Sequence, residues 1–236
     1  MNDLSKNHCM CFLETLKEFD VFKKVETATL SKMLNEMRVE KWPSKSFWNG
    51  SGRSTSMHFI LSGRLKVYQV NALTDREHTI FILTKGDMFD VLHLLDNEPH
   101  DVFWEALDDM ELLTVPIEKM IEWIISYPEI NKTLLQYLGQ RMRRLETMTL
   151  DISFHNTLVR LANLLLTNIN GETNNLQLIN NLSNDEIAGL IGTTRAVVNR
   201  HIQELKKCGA ITVQRKSIQV NSIETLLSIV EKKYHF

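Results

Sequence analysis

Polar and apolar residues follow different patterns in successive parts of the chain. Residues 12–37 place apolar side chains at helical intervals, and near Trp42 this gives way to short alternating runs interrupted by Gly, Ser and Asp. The runs "MHFILSGRLKVYQV" (57–70) and "TIFILTKGDMF" (79–89), separated by "NALTDREH" (71–78), predict antiparallel strands. Strands of this length are typical of a compact barrel or sandwich.

Helical spacing returns at Pro128 and predicts one long helix. Its apolar positions recur at alternating intervals of three and four residues, at Leu135, Leu138, Met142, Leu145, Thr149 and Ile152. Such a seam joins two copies in a short coiled coil or covers the helix's own domain, and the spacing alone allows both. The stretch "SFHNTL" (153–158) then predicts a hinge before the next helix.

The region 182–220 contains the most specific pattern in the chain. Ser183 followed three residues later by Glu186 predicts a capping box at a helix start, and Gly192 predicts the end of that helix. Thr193 or Thr194 is expected to cap a second helix, in which Val198, Ile202 and Leu205 face inward. A two-stranded hairpin over 210–220 follows, so the segment predicts a winged helix-turn-helix.

Composition favours an ordinary globular protein. Of 236 residues, 43% are hydrophobic and 24% charged, and no apolar run approaches the roughly 18 residues of a membrane helix. We therefore expect a cytoplasmic protein without membrane contact. Residues 156–236 carry nine Lys/Arg and six Asp/Glu, a balance of +3, which leaves −5 for residues 1–155. The C-terminal third is thus the part suited to a polyanion.

No pattern of an enzyme active site is recognisable. The sequence has no phosphate-cradling glycine loop, no G-x-S-x-G and no H-E-x-x-H. Residues 86–118 hold ten acidic residues, two histidines and no Lys or Arg, and we expect the acids to form a solvated face rather than a catalytic pair. Three cysteines, Cys9, Cys11 and Cys208, make a disulfide framework improbable.

Four segments together resemble the CRP/FNR superfamily, that of the cyclic-AMP receptor protein and the oxygen sensor FNR: "FILSGRLKVYQV", "KGDMFDVLHLLDNEPHDVFWEAL", "YPEINKTLLQYLGQRMRRLE" and "GTTRAVVNRHIQELKK". The resemblance covers nearly the whole chain. It implies an α+β fold with a β-roll (jelly roll) sensor domain of the cyclic-nucleotide-binding type over 1–127, a long dimerisation helix and hinge over 128–155, and a winged helix-turn-helix over 156–236.

The implied function is that of a homodimeric transcription regulator rather than an enzyme. Its partners would be a second copy of itself, double-stranded DNA with a palindromic operator and, by resemblance, RNA polymerase. The residues expected at the DNA are Thr193, Thr194, Arg195, Ala196, Asn199, Arg200 and Gln203. In the family, arginine then glutamate often begin the recognition helix, with a second arginine five residues after the first; Arg195 and Arg200 match, whereas Ala196 replaces the glutamate. We expect guanine readout through Arg195 and a changed preference at the neighbouring base.

The resemblance also locates an effector pocket in which every ligand position has changed. Val91 stands for the family's ribose-binding glutamate, His100 for its phosphate-binding arginine and Asp101 for its serine, while Leu145 and Glu146 stand for the base-contacting pair on the long helix. A cyclic phosphodiester needs a cation or several N–H donors, and Asp101 would repel it. We therefore predict that neither cyclic AMP nor cyclic GMP binds.

Other effectors and functions stay open, and the cofactor is unknown. His93 lies near the position of a haem ligand in carbon-monoxide-sensing relatives, and Val91, Leu92, Leu94, Leu95, Phe103 and Trp104 would wall such a pocket. A haem-based gas sensor of the same fold is therefore one alternative, and an apolar small molecule or no effector is another. The motif His8-Cys9-Met10-Cys11 is too small for an iron–sulfur cluster, and we expect no metal. A protein-binding adaptor that does not bind DNA is the alternative of another class.

Overall fold

The computed structural model describes residues 6–50, 55–170, 173, 175–214 and 217–231, with side chains from residue 12 onward. The chain divides into two compact units, one made of residues 1–68 with 81–144 and the other of 69–80 with 145–236. In the described part of the chain, no helix is both long enough and apolar enough to cross a membrane.

The first unit combines helices with two antiparallel sheets. Its helices are α1 (Lys6–Glu18), α2 (Thr27–Leu34), α3 (Val91–Asp96), α4 (Ile117–Ser126) and the first part of α5 (Pro128–Phe154). The strands of these sheets are β1 (Arg38–Trp42), β2 (Phe47–Asn49), β3 (Ser56–Ser62), β4 (Leu65–Asn71), β5 (Arg76–Leu83), β6 (Met88–Phe89), β7 (Phe103–Ala106) and β8 (Met110–Pro116). The residues of β4 and β5 that fall within 69–80 are counted with the second unit. The strands form four-stranded sheets in the orders β1-β8-β3-β6 and β2-β7-β4-β5. The expected β-roll is confirmed.

Alternation along β3 shows how this unit buries its apolar residues. Met57, Phe59 and Leu61 join the large core formed with the helices, where Phe59 lies against Phe19 and Phe22 at centroid distances of 5.6 and 5.1 Å. Successive side chains of a strand point to opposite faces, so His58 and Ile60 face away from that core. One face of the sheet therefore packs on the helical core, and the other face carries His58, whose ring stacks on Phe89.

The second unit contains the predicted winged helix-turn-helix. Its elements are α6 (Thr157–Asn168), α7 (Asn184–Ile191), α8 (Arg195–Lys207), β9 (Ile211–Gln214), β10 (Ser217–Val220) and α9 (Ile223–Glu231). The Asn156 side chain caps α6 by accepting hydrogen bonds from the Leu158 and Val159 N–H groups, both at 3.1 Å. β9 and β10 pair antiparallel from Ile211–Val220 to Gln214–Ser217, which gives the predicted wing.

The long helix α5 begins at Pro128, as its spacing predicts, and ends at Phe154 inside the predicted hinge. Its first half buries Ile130, Leu134 and Tyr137 against the helical core. The compact units divide within this helix, after Arg144, so α5 belongs to both.

Candidate nucleic-acid interface and sensor pocket

The helix-turn-helix is built by local hydrogen bonds. Ser183 Oγ accepts from the Glu186 N–H at 3.2 Å, and the Glu186 carboxylate accepts from the Ser183 N–H, so the predicted capping box is present at the start of α7. Gly192 ends α7 with φ +64°, a conformation that glycine adopts without strain. The Thr193 N–H then donates to the Ala188 carbonyl at 2.9 Å, which closes the turn before α8.

The two sides of α8 differ as predicted. Val198, Ile202 and Leu205 are buried against the rest of the unit. The opposite side, which we call the reader face, consists of exposed side chains: Arg195, Ala196, Asn199, Arg200 and Gln203. An α-helix fits the major groove of DNA, so these residues stand where base edges would be read.

Two side-chain contacts of the reader face are described, an ion pair of Arg195 and a hydrogen bond of Asn199. Arg195 Nη1 lies 3.4 Å from Asp185, and both side chains are about two-thirds exposed, at 66% and 64%. An ion pair of this exposure contributes little to stability. Asn199 accepts a hydrogen bond from the Asn184 side chain. Thr194 occupies the N-cap position of α8, but its hydroxyl makes no capping hydrogen bond, so the capping role predicted for it is not fulfilled.

His201 on α8 is buried within the same unit. Its Nε2 lies 2.8 Å from Thr157 Oγ1, and its Nδ1 lies 3.4 Å from Glu204. The contact with Thr157 joins α8 to α6 and thereby positions the reader face. His201 follows Val198 by three residues and precedes Leu205 by four, so helical periodicity alone was sufficient to place it inward.

The proposed walls of a haem pocket do not surround a common space. Leu92 and Leu95 are half exposed, whereas Val91 and Leu94 belong to the helical core. Phe103 and Trp104 are neighbours on β7 and therefore lie on opposite faces of the sheet. Helical periodicity explains why these residues do not line one pocket, because a six-residue helix turns successive side chains in different directions. The described residues do not fit haem.

The two histidines expected in the pocket differ in their surroundings. His93 is buried, and its Nδ1 lies 3.0 Å from the Glu98 carbonyl. His100 is half-buried, and burial lowers its pKa even though Asp90, Asp96 and Asp101 act in the opposite direction. A histidine kept neutral supplies no charge for a phosphate. The remaining pocket residues, Asp101, Leu145 and Glu146, are exposed.

An aromatic cluster inside the roll, formed by Trp42, Trp48, His58, Phe89 and Trp104, was not predicted. The Trp42 and Trp48 rings stack with centroids 3.8 Å apart, and the His58 ring stacks on Phe89 at 4.4 Å. Trp48 pairs across the strands with Trp104, whose ring lies 5.7 Å from Phe89. A Cβ at Gly50 would come within 2.6 Å of the His100 carbonyl oxygen, so only glycine allows this close packing. The members of the aromatic cluster come from five strands, so no local sequence motif predicts the cluster.

Acidic residues of 86–118 do not all form the predicted solvated face. Asp90 is buried and lies 3.0 Å from His58 Nδ1, and Asp87 forms an ion pair with Arg141. The expectation is therefore wrong for these two residues. Both partners are distant in sequence, His58 by 32 positions and Arg141 by 54. Within the acid-rich segment, Asp87 thus receives its cation from α5.

The predicted seam residues of α5 lie on the solvent side of the helix. Leu135, Met142, Leu145 and Ile152 are 60%, 65%, 40% and 46% exposed. Thr149 is also exposed, whereas Leu138 is partly buried against the helical core. The side that covers the first unit is a different one, that of Ile130, Leu134 and Tyr137.

Metal ligation finds no further support among the residues that are described. No group of three or more His, Cys, Asp or Glu side chains there is placed to hold an ion. Cys208 is exposed and unpaired with another cysteine, and the side chains of His8, Cys9 and Cys11 lie outside the described set.

Two family models match the chain in the order of its parts. The cyclic nucleotide-binding domain matches residues 47–127, and the Crp-like helix-turn-helix domain matches residues 159–229.

Similar proteins include regulators from several bacteria. The CRP-like cAMP-activated global transcriptional regulator of Mycobacterium tuberculosis is 25% identical, over 90% of this chain and 97% of the relative. The global nitrogen regulator of a Nostoc species is 29% identical, over 72% and 78%. Among solved structures, a CooA mutant from Carboxydothermus hydrogenoformans aligns with a TM-score of 0.73 at 23% identity, over 90% of this chain and 94% of that one, which shows a shared fold.

Proposed function

The chain belongs to the CRP/FNR superfamily of transcriptional regulators, and from this we propose that it acts as a homodimer that reads a palindromic DNA site without binding cyclic AMP or cyclic GMP. The family consists of regulators rather than enzymes, and the chain carries its helix-turn-helix DNA-binding domain. The homodimer, the residues that read DNA and the rejection of cyclic nucleotides are our inference.

The exposure of the reader face is the main support for the proposal that the protein binds DNA. Arg195 and Arg200 point away from the buried side of α8, and among the described residues Arg195 forms one weak ion pair, with Asp185. An arginine in the major groove can bond a guanine edge through both its nitrogens, and the Ala196 methyl can contact thymine. Thr193, Thr194, Asn199 and Gln203 supply hydroxyl and amide groups for phosphates or neighbouring bases.

The exposed seam of α5 supports the homodimer. Met142 and Leu135 leave more than half of their surface in solvent although they repeat at the spacing of a coiled coil. The alternative, in which the seam covers the helix's own domain, is not needed, because Ile130, Leu134 and Tyr137 already do so. A twofold pair of readers matches a palindromic operator. Contact with RNA polymerase is proposed by resemblance alone.

Two features argue against cyclic nucleotide binding, although the mycobacterial relative is described as cAMP-activated. Val91 is buried in the helical core and Asp101 is exposed, so neither takes the role of the family's ligand at that position. The aromatic cluster also fills space inside the roll with Trp104 and Phe89, which pack on each other. A phosphate placed there would lose its water without gaining a cation.

A binding experiment with selected DNA tests the proposal. Duplexes are enriched from a random pool by the full-length protein, and the affinity of the recovered sequence is measured against salt, with sedimentation in parallel. We expect a palindrome, a dimer, and log affinity that falls steeply with log salt. An adaptor would enrich no sequence and would be almost indifferent to added duplex.

A substitution in the seam tests the dimer itself. Met142→Glu places a charge in the proposed interface and should give a monomer. The affinity of this monomer for the operator should be lower by roughly 100-fold or more, because the second half-site contact is lost. Gln136→Glu, on the same helix beside the seam, is the matched control and should remain dimeric. A monomeric wild type at micromolar concentration contradicts the homodimer, and calorimetry showing micromolar cyclic AMP affinity contradicts the ligand part of the proposal.

A further inference from the structure

A small cavity lies where the turn before β6 meets α5, within the first compact unit. Its volume is about 260 Å³, and its lining residues are Asp20, Gly86, Asp87, Tyr137, Gln140, Arg141 and Arg144. We call it the arginine cavity. None of the positions that correspond to the family's nucleotide ligands, Val91, His100 and Asp101 among them, lines it.

Arg141 is held rigidly at this cavity. Its guanidinium pairs with Asp87, and its guanidinium carbon lies 4.7 Å from the Tyr137 ring centroid and 5.5 Å from that of Phe81. Tyr137 is itself fixed, because its hydroxyl donates to the Met88 carbonyl at 3.1 Å and accepts from the Met88 N–H at 3.3 Å. An arginine positioned in this way loses little conformational entropy when it binds a ligand.

Arg144 brings a second cation to the same cavity. It follows Arg141 by three residues, so the two guanidinium groups share one side of α5. Of the two lining carboxylates, Asp87 is paired with Arg141, and Asp20 lies 2.9 Å from Lys23. Arg144 is exposed. Desolvation by neighbouring groups and the adjacent Arg141 charge lower the pKa of Arg144, and burial raises the pKa of Asp87. Asp20 is paired with Lys23, so the two arginines face one carboxylate, that of Asp87, and the cavity keeps a net positive charge.

We propose that the arginine cavity binds a small oxyanion, a carboxylate or a phosphate, between Arg144 and Arg141. Two guanidinium groups on one side suit the bidentate geometry of such anions. At about 260 Å³ the cavity is smaller than the roughly 300–1,000 Å³ typical of drug-sized ligands, which favours a small anion over a nucleotide. The bound anion competes with Asp87 for Arg141 and thereby loosens the contact between the turn at Gly86 and α5. The role of the anion as an effector rests on the proposed DNA-binding function, whereas the binding of the anion to the arginine cavity does not.

The test is isothermal titration calorimetry on the full-length protein without DNA, with inorganic phosphate in one arm and succinate in the other. We expect saturable binding of one of them at roughly millimolar concentration or below. Phosphate alone identifies a phosphate ligand, and succinate alone a carboxylate; either supports the proposal. The absence of saturable binding in both arms overturns it, whatever the protein does with DNA.

Substitutions test whether the heat measured by calorimetry comes from anion binding in the arginine cavity. Arg144→Gln should weaken binding about tenfold or more, because it removes a charged hydrogen-bond donor. Its matched control is Arg143→Gln, the neighbouring arginine that does not line the cavity, which should change affinity by less than about twofold. Arg144→Lys should recover part of the affinity, and Asp87→Asn should tighten binding by removing the competing carboxylate. Thermal melts confirm that each variant is folded, and equal losses in Arg144→Gln and Arg143→Gln would exclude this site.

Discussion

The winged helix-turn-helix, here called the reader, and the β-roll, here called the sensor, differ in how the sequence creates their sites. In the reader, Ser183, Glu186, Gly192 and the reader face lie within 21 positions of one another, and each has its role through hydrogen bonds or periodicity along a few turns. In the roll, the decisive contacts join residues that the topology brings together, such as Asp87 with Arg141, 54 positions apart. A site of the first kind depends on local structure, and one of the second kind depends on the whole unit.

The aromatic cluster gives the largest expected difference between the two regions. Trp104 is 9% exposed and contacts Phe89, so Trp104→Ala should cost about 3–5 kcal/mol of unfolding free energy. The four tryptophans all belong to the first unit, so their fluorescence during urea unfolding reports on the sensor. Phe47→Ala, at a side chain 70% exposed, is the control and should cost less than about 0.5 kcal/mol. Similar losses in both variants would mean that the cluster is not a packed core.

Arg195 provides the corresponding test in the reader. Arg195→Ala should reduce discrimination between the operator and a variant operator by about 1–3 kcal/mol and leave the unfolding of the sensor unchanged, because the side chain is exposed. Fluorescence anisotropy with both duplexes measures this difference. Lys206→Ala, at the other end of α8, should instead weaken both duplexes by a similar factor, as loss of a phosphate contact does. Sequence-specific binding that survives Arg195→Ala would contradict the assignment.

Much of the reader was predictable from sequence, for a physical reason. The capping box, the glycine turn and the buried side of α8 follow from residue spacing, and all three are present. The exception is Thr194, whose residue type suits an N-cap although no capping bond forms. Residue type indicates where a hydroxyl is suitable, whereas the local backbone decides whether it reaches an N–H group.

Less of the sensor site could be predicted. The β-roll follows from alternation and turn residues, yet Leu92 and Leu95, expected in a pocket, are exposed. Residues 86–118 contain no Lys or Arg, which predicts a solvated Asp87 and Asp90, but α5 brings Arg141 to Asp87 and β3 brings the His58 ring to Asp90. Local composition describes a segment and cannot show which distant segment lies against it.

The capping box predicts a smaller effect that remains within the reader. Ser183→Ala should destabilise the second unit by about 1 kcal/mol, because the Glu186 N–H loses its acceptor. Thr194→Ala, the equivalent position of α8, should cost only a few tenths, since its hydroxyl caps nothing. Far-ultraviolet circular dichroism measures both, and tryptophan fluorescence should show no change in the sensor. Equal costs at the two caps would contradict the hydrogen bonding described for them.

The smallest effect concerns a long-range ion pair of the sensor and depends on pH. Arg64 donates to both carboxylate oxygens of Asp108, at 2.6 and 2.8 Å, and these hydrogen bonds lower the Asp108 pKa below its ordinary value of 3.8. A carboxyl group with a lowered folded-state pKa stabilises the fold above its unfolded-state pKa, and this contribution disappears as pH falls through the folded-state pKa.

The difference in urea midpoint between wild type and Asp108→Asn should therefore stay constant from about pH 7 to 5 and shrink below about pH 4. It should be small throughout, because the Asp108 side chain is 40% exposed. Asp108→Asn made in an Arg64→Gln background is the control and should show no such gap, because the contact with Arg64 is already lost. Arg64 and Asp108 are 44 positions apart, so a gap that persisted at low pH would mean that this contact, unlike the cap at Ser183, is not formed as described.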